Sequence, residues 1–276
     1  MILRAFYLNL DDAFDVETVG LETIDATKWG PRLRFSTPAR EIQEFFRNYE
    51  NRLGRFTLFG SGDFHHLTAL WLRRLTEPFV LVSFDNHPDW DVRPPRWACG
   101  GWINRALELP LLEKASIWGC GNFECWWPSQ FFGNRRAERT GKLEVHAWGE
   151  NRPQRQGAIF RESWREDFEA FVRQLSGRNI YVTIDLDCLT SAEAITNWEN
   201  GRFTVDDLVW ALRQLRETTR ILGGDICGAY SPPKYARGKQ KFAAEWDHPK
   251  ISIANLEDAR RVNFPTLQKL WPVLTQ

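Results

Sequence analysis

The most informative segment is Phe79-Val-Leu-Val-Ser-Phe-Asp-Asn-His-Pro-Asp-Trp-Asp91. Its first half is short, apolar and rich in Val and Phe, which predicts a buried parallel strand. Asp85, His87 and Asp89 then follow at every second position. Residues two apart in an extended chain point to the same side, so these side chains are expected to converge at the carboxyl end of the strand. Open parallel sheets bind their ligands at that edge.

Two carboxylates and one imidazole favour a divalent metal of the Mn, Fe or Zn type. Ca and Mg prefer ligand sets made only of oxygen. The alternative interpretation is a solvated acidic loop that contains an unrelated His. Three metal-capable residues at period two, directly after a buried strand, make that interpretation the weaker one.

The composition excludes several classes of partner. The chain has 276 residues, with 36 Lys plus Arg and 36 Asp plus Glu. A chain without net charge has no overall field that attracts nucleic acid, an anionic membrane or an acidic substrate. We therefore expect a small-molecule substrate, with no nucleic acid and no membrane as partner, and we leave a homo-oligomer open.

Cysteine usage and the apolar runs bear on location. Five cysteines are widely spaced, and Cys120 with Cys125 has no second pair at zinc-site spacing. We interpret them as reduced thiols, which predicts a cytoplasmic protein. The first residues reach acids before they form a signal-peptide apolar region, and no apolar run approaches the ~18 residues of a membrane span.

Strand and helix patterns alternate from end to end, which predicts a three-layer α/β/α fold with a mainly parallel sheet, as one domain over residues 1–276. Ser36 or Thr37 is expected to cap the first long helix. The predicted strands cover residues 2–9, 55–59, 79–84, 115–118, 143–148, 180–184, 220–222 and 251–254. The predicted helices cover residues 38–52, 67–75, a stretch after 100–101, 161–175, 204–218 and 256–270.

A second candidate strand also ends in paired carboxylates. Asp185 and Asp187 follow the apolar run at 180–184, and the same geometry directs both to one point. An Asp-x-Asp after a strand also occurs in haloacid-dehalogenase-type phosphatases and in glycosyltransferases. That phosphatase reading needs a hydroxyl two residues past the second Asp, where Leu189 stands, and it has no use for His87.

His65 and His66 lie between a glycine-rich strand exit and a predicted helix, where an imidazole can reach the same edge of the sheet. A lone His is more often an ordinary core or surface residue, but this would be the third strand exit with ligand chemistry. The Gly62-Asp-Phe-His opening is also similar to that of metallophosphoesterases. Their downstream Gly-Asn-His element is absent, because Phe123 follows Gly121-Asn122.

These motifs occur together in the order Gly-Asp-Phe-His-His, Asp-x-His-x-Asp and Asp-x-Asp, across about residues 55 to 230. In that order the chain resembles the arginase and agmatinase (ureohydrolase) family, of arginase/deacetylase fold. The resemblance implies two bound divalent ions, Mn first, with Fe or Zn as alternatives. It also implies that Asp89 accepts a proton from a hydroxide shared by the ions.

The resemblance further implies a ligand for each position. One ion would be held by His65, Asp85, Asp89 and Asp185, and the other by Asp85, His87, Asp185 and Asp187. Asp85 and Asp185 would then bridge the two ions. His65 fits the family pattern because Leu67 falls at its apolar position, and His66 remains the alternative.

The substrate pocket departs from the family. Ureohydrolases carry a substrate-binding Glu three residues after the Asp of a late strand exit; here Asp225 is kept, as a second catalytic candidate, and Gly228 replaces the Glu. The proton-shuttle His is absent from the segment 97–102, and Thr190 replaces a third Asp. The metal site is therefore expected to be intact and the substrate pocket rebuilt.

Tryptophan and a few acids or bases are candidates for the rebuilt pocket. The candidate wall residues are Trp97, Trp102, Trp126, Trp127 and Trp198. Glu124, Glu245 and His248 are the candidates that would replace the shuttle.

The sequence thus predicts a binuclear-metal hydrolase that cleaves a C–N bond in an amide, amidine or related group by metal-bound hydroxide. It predicts that arginine and agmatine are not the substrates. The alternative is a metal-binding or regulatory protein of the same fold that has lost turnover.

Overall fold

A computed structural model describes residues 5–149, 156–249 and 255–276. In these ranges, eight parallel strands form one sheet in the order β2-β1-β3-β8-β7-β4-β5-β6. The strands are β1 Ala5–Asn9, β2 Glu22–Asp25, β3 Phe56–Phe59, β4 Phe79–Phe84, β5 Leu112–Cys120, β6 Leu143–Ala147, β7 Asn179–Asp185 and β8 Arg220–Cys227.

Ten α-helices and five short 3-10 segments connect the strands of the described chain. The helices are α1 Val16–Val19, α2 Gly30–Leu33, α3 Ala39–Tyr49, α4 Thr68–Leu72, α5 Ile103–Ala106, α6 Arg135–Arg139, α7 Trp164–Gln174, α8 Val205–Thr218, α9 Gly238–Asp247 and α10 Leu256–Thr275. The 3-10 segments are Gly62–Leu67, Cys99–Gly101, Phe123–Cys125, Ser129–Phe132 and Leu186–Cys188.

Two apolar cores cover the two faces of the sheet. Along β4, Leu81 belongs to the core on one face, while Val80 and Val82 belong to the core on the other. The first core includes residues of α3, α4 and α5, and the second includes residues of α7, α8 and α10. A strand buried on both faces needs apolar residues throughout, which explains the unbroken apolar run. The predicted three-layer α/β/α fold is confirmed.

The strand order brings the candidate residues together. Strands β3, β8, β7 and β4 are consecutive neighbours at the centre of the sheet. The candidate histidines follow β3, Asp85 follows β4, Asp185 ends β7, and Asp225 lies near the end of β8. Because all four strands are parallel, their carboxyl ends lie at the same edge of the sheet.

Strand β8 is longer than the predicted 220–222, because Gly223 and Gly224 indicate a turn in sequence but lie inside the strand. A Cβ at Gly223 would lie 2.5 Å from the carbonyl oxygen of Arg55, and one at Gly224 would lie 2.6 Å from that of Val182. These glycines permit close backbone approach rather than a turn.

Other boundaries also differ. The predicted helix at 67–75 is a 3-10 segment that begins at Gly62, followed by the shorter α4. Helix α3 begins after Pro38 without a side-chain cap, so neither Ser36 nor Thr37 has the predicted role. Strand β2 and helix α9 were not predicted. The predicted strand at 251–254 and residues 2–4 of the first strand lie outside the described residues.

No helix within the described ranges combines the length and the apolar character that crossing a bilayer requires.

Candidate metal centre

His65 lies against three carboxylates. Its Nδ1 is 3.2 Å from Asp85 Oδ2, 3.3 Å from Asp89 Oδ2 and 3.5 Å from Asp185 Oδ2. All four residues are buried. The imidazole stands at the exit of β3 and the acids at the exits of β4 and β7, so the sheet edge itself assembles this group.

A second group forms around His87. Its Nδ1 is 2.8 Å from Asp187 Oδ2 and 3.7 Å from Asp85 Oδ1. Ligand atoms of Asp85, His87 and Asp187 lie close enough to one another to share one ion, and so do those of His65, Asp85 and Asp89. Asp85 belongs to both groups. Asp185 groups instead with His65 and Cys227, whose Sγ donates to its Oδ2 at 3.3 Å.

Backbone amides fix the carboxylates. The amide of His87 donates to Asp85 Oδ1 at 2.7 Å, and the amide of Asp187 donates to Asp185 Oδ1 at 3.0 Å. The amide of Asn86 donates to Asp187 Oδ1 at 3.1 Å. Each bond leaves further lone pairs on a carboxylate that can bind a cation, because an ionised carboxylate offers about four acceptor sites.

A hydrogen-bond relay orients His65. Thr183 donates its only hydroxyl proton to Asp225 Oδ1, and its oxygen lies 2.9 Å from His65 Nε2. The hydroxyl can therefore only accept from His65, which places a proton on Nε2 and directs Nδ1 at the acids. Asp225 is buried and also accepts from Tyr181. Asp225 therefore lies behind the cluster, where it positions His65 through Thr183. The sequence predicts it instead as a catalytic residue.

His66 lies outside the cluster. It is fully buried, and neither ring nitrogen has a hydrogen-bond partner. Burial lowers its pKa to about 3, so the ring is neutral. No group of possible metal ligands found among the described residues includes it. Between the two histidines that the sequence left open, the geometry favours His65.

The acids and imidazoles perturb one another strongly. Burial raises the pKa of Asp89 to about 7, with repulsion from Asp85 as a further cause. Burial raises the pKa of Asp187 to about 6; the neighbouring His87 acts to lower this pKa, and repulsion from Asp85 acts to raise it. Burial acts to lower the pKa of His65, but its contacts with Asp85 and Asp89 outweigh burial and raise it. So many acids in one buried place need compensating positive charge.

Divalent cations fit this donor set. His65 Nδ1 is buried without a hydrogen-bond partner, although it faces three carboxylate oxygens across 3.2 to 3.5 Å. Four carboxylates and two imidazoles suit Mn, Fe or Zn. The assignment of individual ligands remains a prediction.

A small cavity lies over the cluster. Its lining residues include four cluster acids, His87, Gly62, Cys99, Gly100, Asn122, Phe123, Glu124, Trp198, Glu199 and Asp247. The predicted tryptophan wall is wrong except for Trp198. Trp97, Trp102 and Trp126 are core residues, and Trp127 is 71% exposed on the surface. Trp102 instead donates to Asp89 Oδ2 at 2.6 Å, and its ring is tilted against that of His65 with 4.7 Å between the centroids.

Glu124 is the acid–base candidate that lines the cavity. Burial raises its pKa to about 8, so it can carry a proton near neutral pH. His248 is held instead by Asp63, with 2.7 Å between Nε2 and Oδ1. Glu245 lies on the surface of α9 beside Lys241.

Two acids at the cavity were missed by the sequence reasoning. Glu199 Oε2 lies 3.3 Å from His87 Nε2, and Asp247 ends α9 at the cavity mouth. Neither follows a predicted strand, and α9 itself was not predicted. The His87 contact of Glu199 depends on a long loop after β7 that carries no pattern in the sequence.

Gly228 cannot be replaced simply by the family's Glu. Its φ is +100°, and a Cβ would lie 2.1 Å from Asp185 Oδ1 and 2.4 Å from the amide nitrogen of Leu186. A larger residue would therefore displace a candidate metal ligand. The loss of the Glu is built into the backbone of the site.

The sequence matches the pattern of the arginase family over residues 8–245. An uncharacterised protein of Thermotoga maritima is 31% identical over 205 residues, which cover 74% of this chain and 69% of that protein. A solved structure assigned as an agmatinase from Clostridium difficile aligns at a TM-score of 0.57 and 17% identity, covering 99% and 97% of the two chains.

Another solved structure, proclavaminate amidino hydrolase from Streptomyces clavuligerus, aligns at a TM-score of 0.49 and 18% identity. The alignment covers 72% of this chain and 62% of the length of the amidino hydrolase. The strand order, the motif order and the match over most of the chain agree: this chain belongs to the arginase family.

Proposed function

We propose that this protein is a hydrolase that binds two divalent metal ions and cleaves a C–N bond in an amide, amidine or related group. The observation that carries the proposal is the convergence of buried acids and imidazoles on one cavity at the carboxyl edge of the sheet. Membership of the arginase family supports it.

In this proposal His65, Asp85, Asp89 and Asp185 hold one ion, and Asp85, His87, Asp185 and Asp187 hold the other. Mn is the first candidate, and Fe and Zn are the alternatives. When bound, the two ions would make a shared water more acidic and polarise the carbon under attack. The Thr183–Asp225 pair keeps His65 in the tautomer that ligation requires.

Proton transfer falls to two side chains. Asp89 is positioned by the hydrogen bond from Trp102 Nε1, and it accepts the proton that the attacking water loses. Glu124 lines the cavity, and its raised pKa allows it to donate a proton to the leaving nitrogen. Glu124 thus replaces the missing shuttle histidine in function.

Arginine and agmatine are not the substrates in this proposal. A guanidinium over two dications needs a carboxylate that pairs with it in a fork, and Gly228 offers none. The substrate is a small molecule, and the odd, widely spaced set of five cysteines supports a reducing, cytoplasmic location. The one sheet formed by the described strands supports a single domain over residues 1–276.

The test is product release from a panel of amides, amidines and acylated amines, assayed with Mn-loaded and chelator-treated protein. We expect turnover of at least one class that chelation abolishes. Glu124→Gln should lose about a hundredfold or more in kcat with unchanged metal content. Metal binding without turnover of any class would favour a regulatory protein that retains only the site.

A further inference from the structure

The cavity over the cluster is too small for a whole substrate. Its volume is about 40 Å³. A single water needs roughly 10 to 15 Å³ of such space, so the cavity holds a few atoms at most. Only the reacting group of a substrate can enter, and the remainder must lie outside.

A groove continues directly from this cavity. Its volume is about 620 Å³, which lies in the usual range of small-molecule sites. Gly100, Glu124 and Asp247 line both the cavity and the groove. A molecule whose reacting group is in the cavity therefore has its remaining atoms in this groove.

The groove has an apolar, aromatic lining. Phe242 and Trp246 stand one turn apart on α9, with Pro94 and Pro95 among the other lining residues and buried Phe35 at the inner side. Phe242 is 71% exposed and Trp246 is 83% exposed. Exposed aromatic residues grouped at the mouth of a site typically mark a binding surface.

Ionisable side chains are distributed asymmetrically in the groove. Arg93 is the only basic residue among the described lining residues; it pairs with Asp91 and lies 4.0 Å over the ring of Phe132. Glu124 and Asp247, at the inner end, are acids. An aromatic surface with acids where it meets the cavity fits an apolar body that is attached to a nitrogen.

We propose that the groove binds the leaving amine of the substrate, and that this amine carries an aryl or long alkyl body. The inference rests on the proposed function and specifies its substrate class: N-substituted amides or amidines with an arylalkyl group on the nitrogen. Water adds to the scissile carbon, the C–N bond breaks with its electron pair going to nitrogen, and the nitrogen takes up a proton. The products are the acid or amide and an arylalkylamine.

Calorimetric titration of the full chain with phenylbutylamine and with butylamine tests the groove without turnover. Burial of a phenyl ring should make phenylbutylamine bind at least about tenfold tighter. Phe242→Ala and Trp246→Ala should remove most of that difference and leave butylamine binding unchanged. Trp127→Ala, which removes an equally exposed aromatic residue outside the groove, is the matched control.

Equal affinity for the two amines, or an equal loss in Trp127→Ala, would overturn the proposal. So would a dimer, seen by sedimentation, that Phe242→Ala and Trp246→Ala dissociate without changing amine binding. Failure of the proposed function alone would give a different result. Phenylbutylamine would still bind more tightly than butylamine, but neither chelation nor metal loading would change the turnover of any substrate.

Discussion

Thr183 shows how one hydroxyl sets the chemistry of a histidine two strands away. Thr183→Val removes the acceptor for His65 Nε2 and the donor for Asp225, so the ring loses its fixed tautomer. Loss of such a supporting partner costs about tenfold to a hundredfold in metal affinity. We expect Mn²⁺ affinity, measured by calorimetry, to fall by that factor in Thr183→Val and to be kept in Thr183→Ser. Unchanged affinity in the Val variant would contradict the relay.

Gly228 is the second informative residue. Gly228→Ala places a Cβ 2.1 Å from Asp185 Oδ1 at a φ of +100°. Gly20→Ala is the matched control, because its φ is +65° with nothing within 4 Å of a Cβ. Denaturant unfolding should show a loss of about 1 kcal/mol for Gly20→Ala, from backbone strain alone, and several kcal/mol for Gly228→Ala. Equal losses would show that the site tolerates a side chain there.

Among individual residues, the sequence is most informative where a residue directly follows a buried strand. Asp85, His87, Asp185 and Asp187 could be predicted to converge because they lie at or just after the ends of two parallel strands, although Asp187 lies in the 3-10 segment Leu186–Cys188 and not in an extended strand. The choice between His65 and His66 could not, since a 3-10 segment and not a strand carries them. The sequence predicts Asp225 as a catalytic residue, and only the tertiary structure shows that Thr183 and Tyr181 donate hydrogen bonds to it.

Four strand ends gather the acids, and this gives metal binding a pH dependence. In the metal-free protein the pKa of Asp89 is raised to about 7 and that of Asp187 to about 6, and contacts with acids raise the pKa of His65 and His87. Raised pKa values mean that protons compete with metal at higher pH than usual. Mn²⁺ affinity should therefore fall by more than about tenfold between pH 8 and pH 6.

Calorimetric titration with Mn²⁺ measures this affinity. When it is run in two buffers of different ionisation enthalpy, it also counts the protons that are released on binding. We expect net release at pH 7, since the ligands must lose protons before they coordinate. A pH-independent affinity with no proton release would show that these groups do not bind the ion.

Element boundaries were predicted less well than element types. Strand β8 was predicted too short because a Gly-Gly pair is found both in turns and in tightly packed strands. Here Gly223 and Gly224 lie in the strand, where a Cβ would meet neighbouring backbone. Helix α9 was missed because it buries only Gln240 and Ala244 and exposes its aromatics, which is the reverse of the usual pattern. The groove beside the cavity depends on α9, so it could not be foreseen.

Metal binding should stabilise the whole molecule, since buried carboxylates repel one another without a cation. An ion at a hundred times its Kd contributes about 2.7 kcal/mol, or roughly five degrees in Tm for a chain of this size. Chelation should lower Tm by that amount in the wild type. The Asp85→Asn variant lacks the one acid that belongs to both the His65 group and the His87 group of candidate ligands. Its Tm should therefore hardly change when the chelator is added. An unchanged wild-type Tm would indicate that the native site does not bind metal.

The rebuilt pocket makes a further prediction at the scale of the molecule. Mn-loaded protein should release no urea from arginine, agmatine or guanidinobutyrate at a useful rate. Loss of a fork-like guanidinium contact costs on the order of a thousandfold. Robust urea release would mean that Glu124, Glu199 or Asp247 has taken over guanidinium binding.

The metal content of the purified chain tests the central claim most directly. After loading with Mn²⁺ and dialysis, elemental analysis should find about two ions per chain in the wild type. Asp85→Asn and Asp185→Asn should lose more metal than His87→Asn, because the two acids are proposed to contact both ions. Two ions retained equally in all three variants, or no ions in the wild type, would contradict the account.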